Sequence, residues 1–429
     1  MENQAVATNY LATEKPTRQR HLLAFILMLV VVFSYIDRVN VSILIVDNAF
    51  LSDMGIVGQS VQKGMLMTVF LIAYSFGNVL LSPLGDILGP RKGMALSIVA
   101  WGISLIVGGL APTFMLMLFS RVLLGLGEGM HFPMQSKFIK CWFPITERGK
   151  ANAAWNLGLA IAPAIAMPLF TWLISLTGWR GSFFVLTCMG LIPLVLLWNF
   201  TADTPRDSKR INAAELAHIE NGLKNDTVST EGETGFMDKI KSFSKNYRFW
   251  LMVVYYMAHA SVLWGTMSWV PSYLKTARGF SWEAMGALAS LPWIMGVATK
   301  ILSGYLCDKM KRRAPLLVFA MIGVSLGIYF GVNVQDNLTS ALILGFGIGC
   351  IGLGGPAAWT LLQDVVPSKG ISSAAGVMNG MGNVFSSIAP VAIGYLISLT
   401  GSYTFGLYYI IGCCVMGGIA TLILTLKNN

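Results

Sequence analysis

SPLGDILGPRK, at Ser82–Lys92, is matched half a chain later by SGYLCDKMKRR, at Ser303–Arg313. Each stretch has a small residue, an apolar helix end, an aspartate and a basic cluster, and each follows a long apolar segment. Asp86 and Asp308 lie 222 positions apart in a chain of 429 residues, which is close to half its length. A charged helix end that recurs once per half predicts two structurally related halves.

The composition is that of a membrane protein. Hydrophobic residues make up 55% of the chain and charged residues only 12%, whereas soluble domains carry roughly 25% charged residues. The mean hydropathy is +0.65. Twelve apolar windows are long enough to cross a bilayer, at 22–46, 62–84, 94–112, 115–139, 152–176, 181–200, 248–272, 283–306, 314–333, 338–361, 371–398 and 402–426. We therefore expect an all-α membrane protein of twelve transmembrane helices in two pseudo-symmetric six-helix bundles.

A polar stretch divides the spans into six and six. The predicted organisation is an N-terminal tail (1–21), a first bundle (22–200), a central loop (201–247), a second bundle (248–426) and a C-terminus (427–429). Within the loop, 212–223 has the pattern of a short amphipathic helix.

The net charge is +10, and the lysine and arginine residues responsible for it lie mostly in the loops, which argues against nucleic acid as a partner. With a cytoplasmic N-terminus, most basic residues lie in inside loops, as the positive-inside rule requires. The outside loops hold only Lys63, Arg180, Lys275 and Arg278. This asymmetry predicts that both termini are cytoplasmic, and the compact loops favour a multi-pass protein of the cell inner membrane. The six cysteines lie in or near spans without metal-ligand spacing, so we expect neither a metal nor a cofactor.

Four charged residues lie deep in the spans of the first half: Asp37, Arg38, Arg121 and Glu128. A charge at the centre of a span costs about 2.5–3.5 kcal/mol on insertion scales, so such residues are functional candidates. Arg121 and Glu128 are two helical turns apart on one face, too far for a direct contact, and Asp37 with Arg121 is one plausible pair. A carboxyl group in a low-dielectric cavity can hold a proton at neutral pH, so Glu128 and Asp37 are the predicted proton carriers. A purely structural role for these charges stays open.

The corresponding region of the second half, GIGCIGLGGPAAW, contains no acidic residue. This asymmetry predicts a coupling site on one bundle and a substrate surface on the other. Lys300 either reaches the interface with its long stem or provides a second cation for an anionic substrate. His131 either shares the cavity of Glu128 or is simply packed. The remaining candidates for the cavity lining are aromatic and amide side chains: Tyr35, Tyr74, Trp155, Asn156, Trp264, Trp269, Trp359, Asn379 and Asn383.

The repeated stretches predict charge contacts that hold one conformation of a rocking transporter. Their role is gating and not substrate binding. The predicted gating residues are Asp86, Arg91, Lys92, Asp308, Lys309, Arg312 and Arg313.

Five motifs stand out: Tyr35-Ile36-Asp37-Arg38, Gly85-Asp86 with Arg91-Lys92, Arg121 through Glu128 with Phe132-Pro133, Trp142-Phe143-Pro144 with Glu147-Arg148-Gly149, and Trp264 through Trp269-Val270-Pro271-Ser272-Tyr273-Leu274. With these motifs the chain resembles the major facilitator superfamily over essentially its whole length. Within it, the chain is most similar to the anion:cation symporter branch, which includes bacterial sugar-acid/proton symporters and sialin-like transporters. The resemblance implies that Asp37 and Glu128 are proton sites. It also implies that Arg38 meets the substrate carboxylate, in a cavity lined by Tyr35, Tyr74, Trp359 and Asn379.

The chain departs from the branch at several positions. Ser82 and Ile87 replace a usual glycine and a usual basic residue, and Gly129-Met130 follow Glu128 where Ala-Pro is usual. Leu159 stands where sugar-acid members tend to carry a glutamine that could bond hydroxyl groups. Together with the added Lys300, this favours a smaller or doubly charged acid over a polyhydroxylated one.

We therefore predict a secondary active transporter that imports a small organic anion, a sugar acid or other carboxylate, by proton symport with alternating access. The predicted partners are the anion, protons and the lipid bilayer, and the predicted state is a monomer. Three alternatives stay open: an organic-anion exchanger or exporter, an importer of a sulfonate or dicarboxylate dianion, and a membrane sensor without transport. No residue spacing suits nucleophilic or metal catalysis, so the chain is not expected to be an enzyme.

Overall fold

The structure is a computed structural model, and it describes residues 15–81, 87–224, 243–310, 313–366 and 371–427. Within these ranges every regular element is helical. The helices of the first half are α1 (Gln19–Leu44), α2 (Asn48–Asp53), α3 (Ser60–Leu80), α4 (Pro90–Leu110), α5 (Phe114–Gly129), α6 (His131–Trp142) and α7 (Ile145–Phe200).

The central loop contains a short 3-10 turn at Pro205–Asp207 and the helix α8 (Ala213–Lys224). The amphipathic helix predicted at 212–223 is therefore confirmed. The helices of the second half are α9 (Tyr247–Ser272), α10 (Trp282–Lys309), α11 (Ala314–Asn333), α12 (Asn337–Gly349), α13 (Gly354–Val365), α14 (Ile371–Ser386), α15 (Ala389–Thr400) and α16 (Tyr403–Leu426).

Eight helical stretches among the described residues are long and apolar enough to cross a membrane. One of them, 161–200, is 40 residues long and belongs to α7, which as a whole contains the predicted spans 152–176 and 181–200. At Gly178, with φ 69° and ψ 172°, the helical backbone of α7 is interrupted, so α7 consists of two membrane helices joined at a turn. Glycine suits this position because a positive φ is strained for residues with a side chain. Other predicted spans, such as α9, are less apolar because they carry tyrosine, tryptophan and histidine.

The two halves repeat one helical plan. Helices α5 and α6 together cover 114–142, and α12 and α13 cover 337–365, an offset of 223 positions at both ends. Each of these spans is interrupted in its middle, the first at Met130 and the second by a 3-10 turn at Cys350–Leu353. The structural repeat therefore matches the offset of the two charged stretches in the sequence.

The halves pack against each other where α3 and α10 begin. A Cβ atom added to Gly64 would lie 2.4 Å from the carbonyl oxygen of Pro390, and one added to Gly394 would lie 2.3 Å from that of Ser60. Since real Cβ atoms do not approach a backbone oxygen so closely, only glycine permits this packing of α3 on α15. Close approach of backbones through small residues is typical of helices in lipid. Beside it, the Trp282 indole donates to the carbonyl of Thr171 at 2.7 Å, which joins α10 to α7.

A charged cluster outside the spans ties α8 to the first bundle. The Arg20 guanidinium at the start of α1 bonds Glu147 at 2.9 Å and Glu215 of α8 at 3.1 Å. His218 of α8 also contacts Glu147, at 2.8 Å. Burial alone would raise the pKa of the Glu147 carboxyl, but the hydrogen bonds and charges of His218 and Arg20 outweigh it, so the pKa is lowered below its ordinary value.

Candidate functional site

A buried ion pair joins α1 to α5. Arg38 Nε donates to Glu128 Oε2 at 2.5 Å, and Arg38 Nη2 lies 3.5 Å from the Ser34 hydroxyl. The Arg38 side chain is 1% exposed and that of Glu128 is 0% exposed. Neutralising one member of such a pair leaves the other charge without compensation in a medium that solvates it poorly. The charge states of Arg38 and Glu128 are therefore coupled.

Aromatic rings enclose the Arg38 guanidinium. Its Cζ atom lies 4.4 Å from the ring centre of Tyr35, 4.6 Å from that of Tyr74 and 6.0 Å from that of Trp264. These distances allow cation–π attraction. Tyr35 also stacks on Trp264, with ring centres 6.5 Å apart. Because Trp264 belongs to α9, the cage is built by both halves, and Arg38 lies at the surface where they meet.

Arg121 and Asp37 are also buried, at 1% and 3% exposure. Among the described residues no ion pair within 4.0 Å joins them, so the Asp37–Arg121 pair considered from the sequence is not formed in this structure. Arg121 Nε and Nη2 have no hydrogen-bond partner among the described residues, and neither has Glu128 Oε1. The charge of Arg121 still acts on both Glu128 and Asp37. Two cations and two carboxylates thus share one region of the first half. Of these four described groups, Arg38 and Glu128 form an ion pair, whereas Arg121 and Asp37 do not.

His131 is placed inside the first half. Its ring is fully buried, 6.4 Å from the Trp101 ring and 5.2 Å from the Phe132 ring. Asn40, which the sequence analysis did not select, is equally buried, and neither of its amide atoms has a described partner. The signal that could have found Asn40 is the one used for Asn379, an amide within an apolar span.

The second half presents a wall of aromatic and amide groups. The Tyr256 hydroxyl donates to Asn379 Oδ1 at 3.2 Å, and Asn383 Nδ2 donates to the same oxygen at 3.3 Å. The Trp359 ring meets the Tyr256 ring edge-on at 5.6 Å. Trp359 is 37% exposed and Asn379 is also exposed. The structure thus brings together Trp359 and Asn379, and adds Tyr256, which the sequence could not distinguish among thirteen tyrosines.

His259 of α9 lies beside this wall, and Lys300 of α10 interacts with His259. The charge of Lys300 acts on the His259 ring, and both side chains are half-buried. His259 Nδ1 lies 3.3 Å from the Tyr255 hydroxyl, and the His259 ring stacks on Tyr256 at 5.9 Å.

The described gating residues make their contacts within one half. The backbone N–H of Arg91 donates to Asp203 Oδ1 at 2.8 Å, and its guanidinium donates to the carbonyl of Trp198. In the second half, the Arg313 guanidinium pairs with Asp364 of α13. Lys92 is exposed, and the Lys309 ammonium lies 4.4 Å from the Tyr305 ring. Asp86 and Arg312 lie outside the described residues, as does the side chain of Asp308.

Comparisons with known proteins agree with this architecture. A family model described as the Major Facilitator Superfamily matches residues 27–390. The "probable sulfoacetate transporter SauU" of Cupriavidus necator is 28% identical over 394 residues, which cover 90% of this chain and 89% of that protein. The "probable galactarate/D-glucarate transporter GudP" of Bacillus subtilis is 30% identical over 421 residues, or 92% and 90% of the two chains.

Solved structures share the fold. A bacterial homologue of the human lysosomal transporter Spinster, inward-facing and occupied, superposes with a TM-score of 0.76 at 17% identity, over 96% of this chain and 97% of that one. A D-xylose–proton symporter superposes with a TM-score of 0.70 at 17% identity, over 94% and 96%.

Proposed function

The chain belongs to the major facilitator superfamily, and from that premise we propose that it imports a small organic anion together with protons by alternating access. The family match confirms the predicted resemblance, the all-helical fold and the multi-pass membrane character. It also agrees with the prediction of a transporter and not an enzyme. The division into bundles at 22–200 and 248–426, the monomeric state, the inner membrane and the cytoplasmic termini are parts of the proposal.

An organic acid is the proposed substrate. The two relatives described above are named for transport of sulfoacetate and of galactarate or glucarate, and each of these compounds carries two acidic groups. A guanidinium with its planar fork of donors is well suited to a carboxylate. Arg38 is the proposed group because it lies between the halves, in the cage that Tyr35, Tyr74 and Trp264 form.

The observation that carries the coupling mechanism is the Arg38–Glu128 pair. While Glu128 is ionised it occupies Arg38, so a substrate carboxylate has to compete with it. A proton that enters from outside neutralises Glu128 and releases Arg38 for the anion. Asp37 is the second proton site, and its charge acts together with that of Arg121. Proton binding and anion binding then favour the same state, which is the requirement for symport.

Movement of the halves delivers the anion to the other side. The close packing of α3 on α15 and of α10 on α7 lies at one end of the molecule. We infer that these contacts open and close while the site near Arg38 stays between the halves. Once the site opens to the inside, low proton activity returns Glu128 to its charged form, and Glu128 displaces the anion from Arg38.

The test uses purified protein in liposomes that contain a pH-sensitive dye. Sugar acids, dicarboxylates and sulfonates are offered in turn from outside, and internal pH is followed together with uptake of the labelled acid. We expect one class of acid to be taken up and to acidify the interior, and liposomes without protein to show neither effect. Uptake without any change of internal pH would rule out the symport mechanism.

A further inference from the structure

Lys300 is a cation without an acidic neighbour in its own half. From residue 248 to the C-terminus the sequence has only four acidic residues, and all lie at or near helix ends: Glu283, Asp308, Asp336 and Asp364. Asp308 is eight residues along α10 from Lys300, which corresponds to about 12 Å of helix. Among the described residues, Lys300 makes no ion pair within 4.0 Å. Its counter-charge must therefore come from elsewhere.

The position of Lys300 on α10 favours the interior over the lipid. The large side chains that α10 exposes most are Ile294, Ile301, Leu302 and Tyr305, each about half exposed or more. Lys300 precedes Ile301 and is half-buried, so it points away from the centre of this stripe. Its charge acts on His259, which lies on α9, the helix that also carries Trp264 of the Arg38 cage. Both features favour the substrate side of α10 over the lipid as the location of the ammonium.

The groups next to His259 are hydrogen-bonding groups of the kind that bind an oxyanion. His259 contacts the Tyr255 hydroxyl at 3.3 Å and stacks on Tyr256. The Tyr256 hydroxyl bonds Asn379 at 3.2 Å, and Asn379 is exposed. Space is open beside this group, because a Cβ atom added to Gly380 would meet no atom within 4 Å.

We propose that Lys300 is a second anion site, and that the substrate is a small dianion with one acid group at Arg38 and the other at Lys300. This inference rests on the proposed function of Arg38. Trp264 contacts Arg38, and His259 interacts with Lys300; the two residues are five positions apart on α9. Helix α9 therefore contributes to both parts of the proposed site. The dianion provides Lys300 with the negative charge that its own half lacks.

The test compares acids that differ in one acid group. Succinate and 4-hydroxybutyrate have the same four-carbon chain and carry two and one carboxylates, respectively. Each is measured as a competitor of the labelled acid whose uptake the liposome assay establishes, with wild type, Lys300→Met, Lys300→Arg and, as a control, Lys427→Met. Lys427 is a suitable control because it lies at the exposed end of α16, near the Tyr247 ring.

We expect wild-type protein and the Lys427→Met variant to prefer the diacid by about tenfold, since a charge-assisted bond contributes about 1.5–3 kcal/mol and 1.4 kcal/mol corresponds to tenfold. Lys300→Met should remove this preference by weakening the diacid alone, and Lys300→Arg should keep it. Competition by 4-hydroxybutyrate within twofold of wild type reports that each variant is folded.

Two results would overturn the inference. If Lys300→Met weakens both acids equally or neither, Lys300 does not discriminate dianions, although Arg38 and proton coupling still stand. If wild-type protein takes up no acid of any class, the proposed function fails and the role of Lys300 fails with it.

Discussion

Arg38 and Arg121, deep in the first half, have carboxylates near them, whereas Lys300, a half-buried cation of the second half, has no ion-pair partner among the described residues. Arg38 is paired with Glu128, and Arg121 acts on Asp37, all inside one set of packed helices. The charge of Lys300 acts instead on His259, whose ring stacks on Tyr256. The two halves share one arrangement of helices but carry different charged and polar side chains. We infer that the first half couples the proton to the anion, and that the second half selects the anion.

The largest expected effect comes from Arg38→Lys in the first half. A lysine keeps the charge but loses the fork of donors and the planar stacking of the guanidinium. Loss of two charge-assisted bonds at about 1.5–3 kcal/mol each predicts a fall in uptake of about 100-fold or more. The matched control is Arg206→Lys, because Arg206 pairs with Glu220 at an exposed position. Uptake by Arg38→Lys within a few-fold of wild type would contradict a bonding role for the guanidinium.

The next effect tests whether the halves must approach closely at one end. Valine at Gly394 would force its Cβ atom onto the carbonyl oxygen of Ser60, whereas a Cβ atom at Gly412 would meet nothing within 4 Å. We expect Gly394→Val to lower the initial rate of uptake by about tenfold, as overpacking typically costs 1–3 kcal/mol. Gly412→Val should leave it near wild type. Equal rates for the two variants would show that this packing is not needed for transport.

A smaller effect is expected in the wall of the second half. Tyr256→Phe removes the hydroxyl that bonds Asn379. A net hydrogen bond contributes about 0.5–1.5 kcal/mol, so the apparent KM for the acid should rise by roughly two- to tenfold. The number of protons per anion should stay unchanged, and Tyr247→Phe, at an exposed position, serves as the control. A change in proton number would contradict the division of roles between the halves.

The smallest effect concerns Glu147, outside the spans. Its pKa is lowered from an ordinary value of 4.5 by His218 and Arg20, which outweigh burial. The stability that its ionised form adds is present above about pH 4.5 and is lost as pH falls through the lower, folded-state pKa. Glu147→Gln should therefore lower Tm by a few degrees at neutral pH. The gap in Tm between wild type and variant should narrow as the solution is acidified below the folded-state pKa of Glu147. A gap that widens at low pH would contradict this account.

Much of the fold follows from the sequence, and less of the site does. Apolar length and the 222-position repeat predicted the helices and their division, because the bilayer requires long apolar segments. The cost of burying charge also identified Asp37, Arg38, Arg121 and Glu128.

Sequence reasoning could not identify the partner of Arg38. Which carboxylate pairs with Arg38 depends on how α1 packs on α5. From the spacing alone, an ion pair between Asp37 and Arg121 is equally reasonable. Tyr256 was missed for a similar reason, since its role comes only from the approach of α9 to α14. The sequence does not decide whether the Lys300 side chain faces lipid or the cavity, and its location on the cavity side stays a prediction.

The central claim is that the charge on Glu128 couples the proton to the anion. The most direct measurement compares two assays of Glu128→Gln in liposomes: accumulation of the acid driven by a proton gradient, and counterflow of labelled acid against preloaded acid. Glutamine imitates a carboxyl group that stays protonated, so accumulation should be lost while counterflow stays within a few-fold of wild type. If Glu128→Gln still accumulates the acid with the proton gradient, the coupling assigned to Glu128 is wrong.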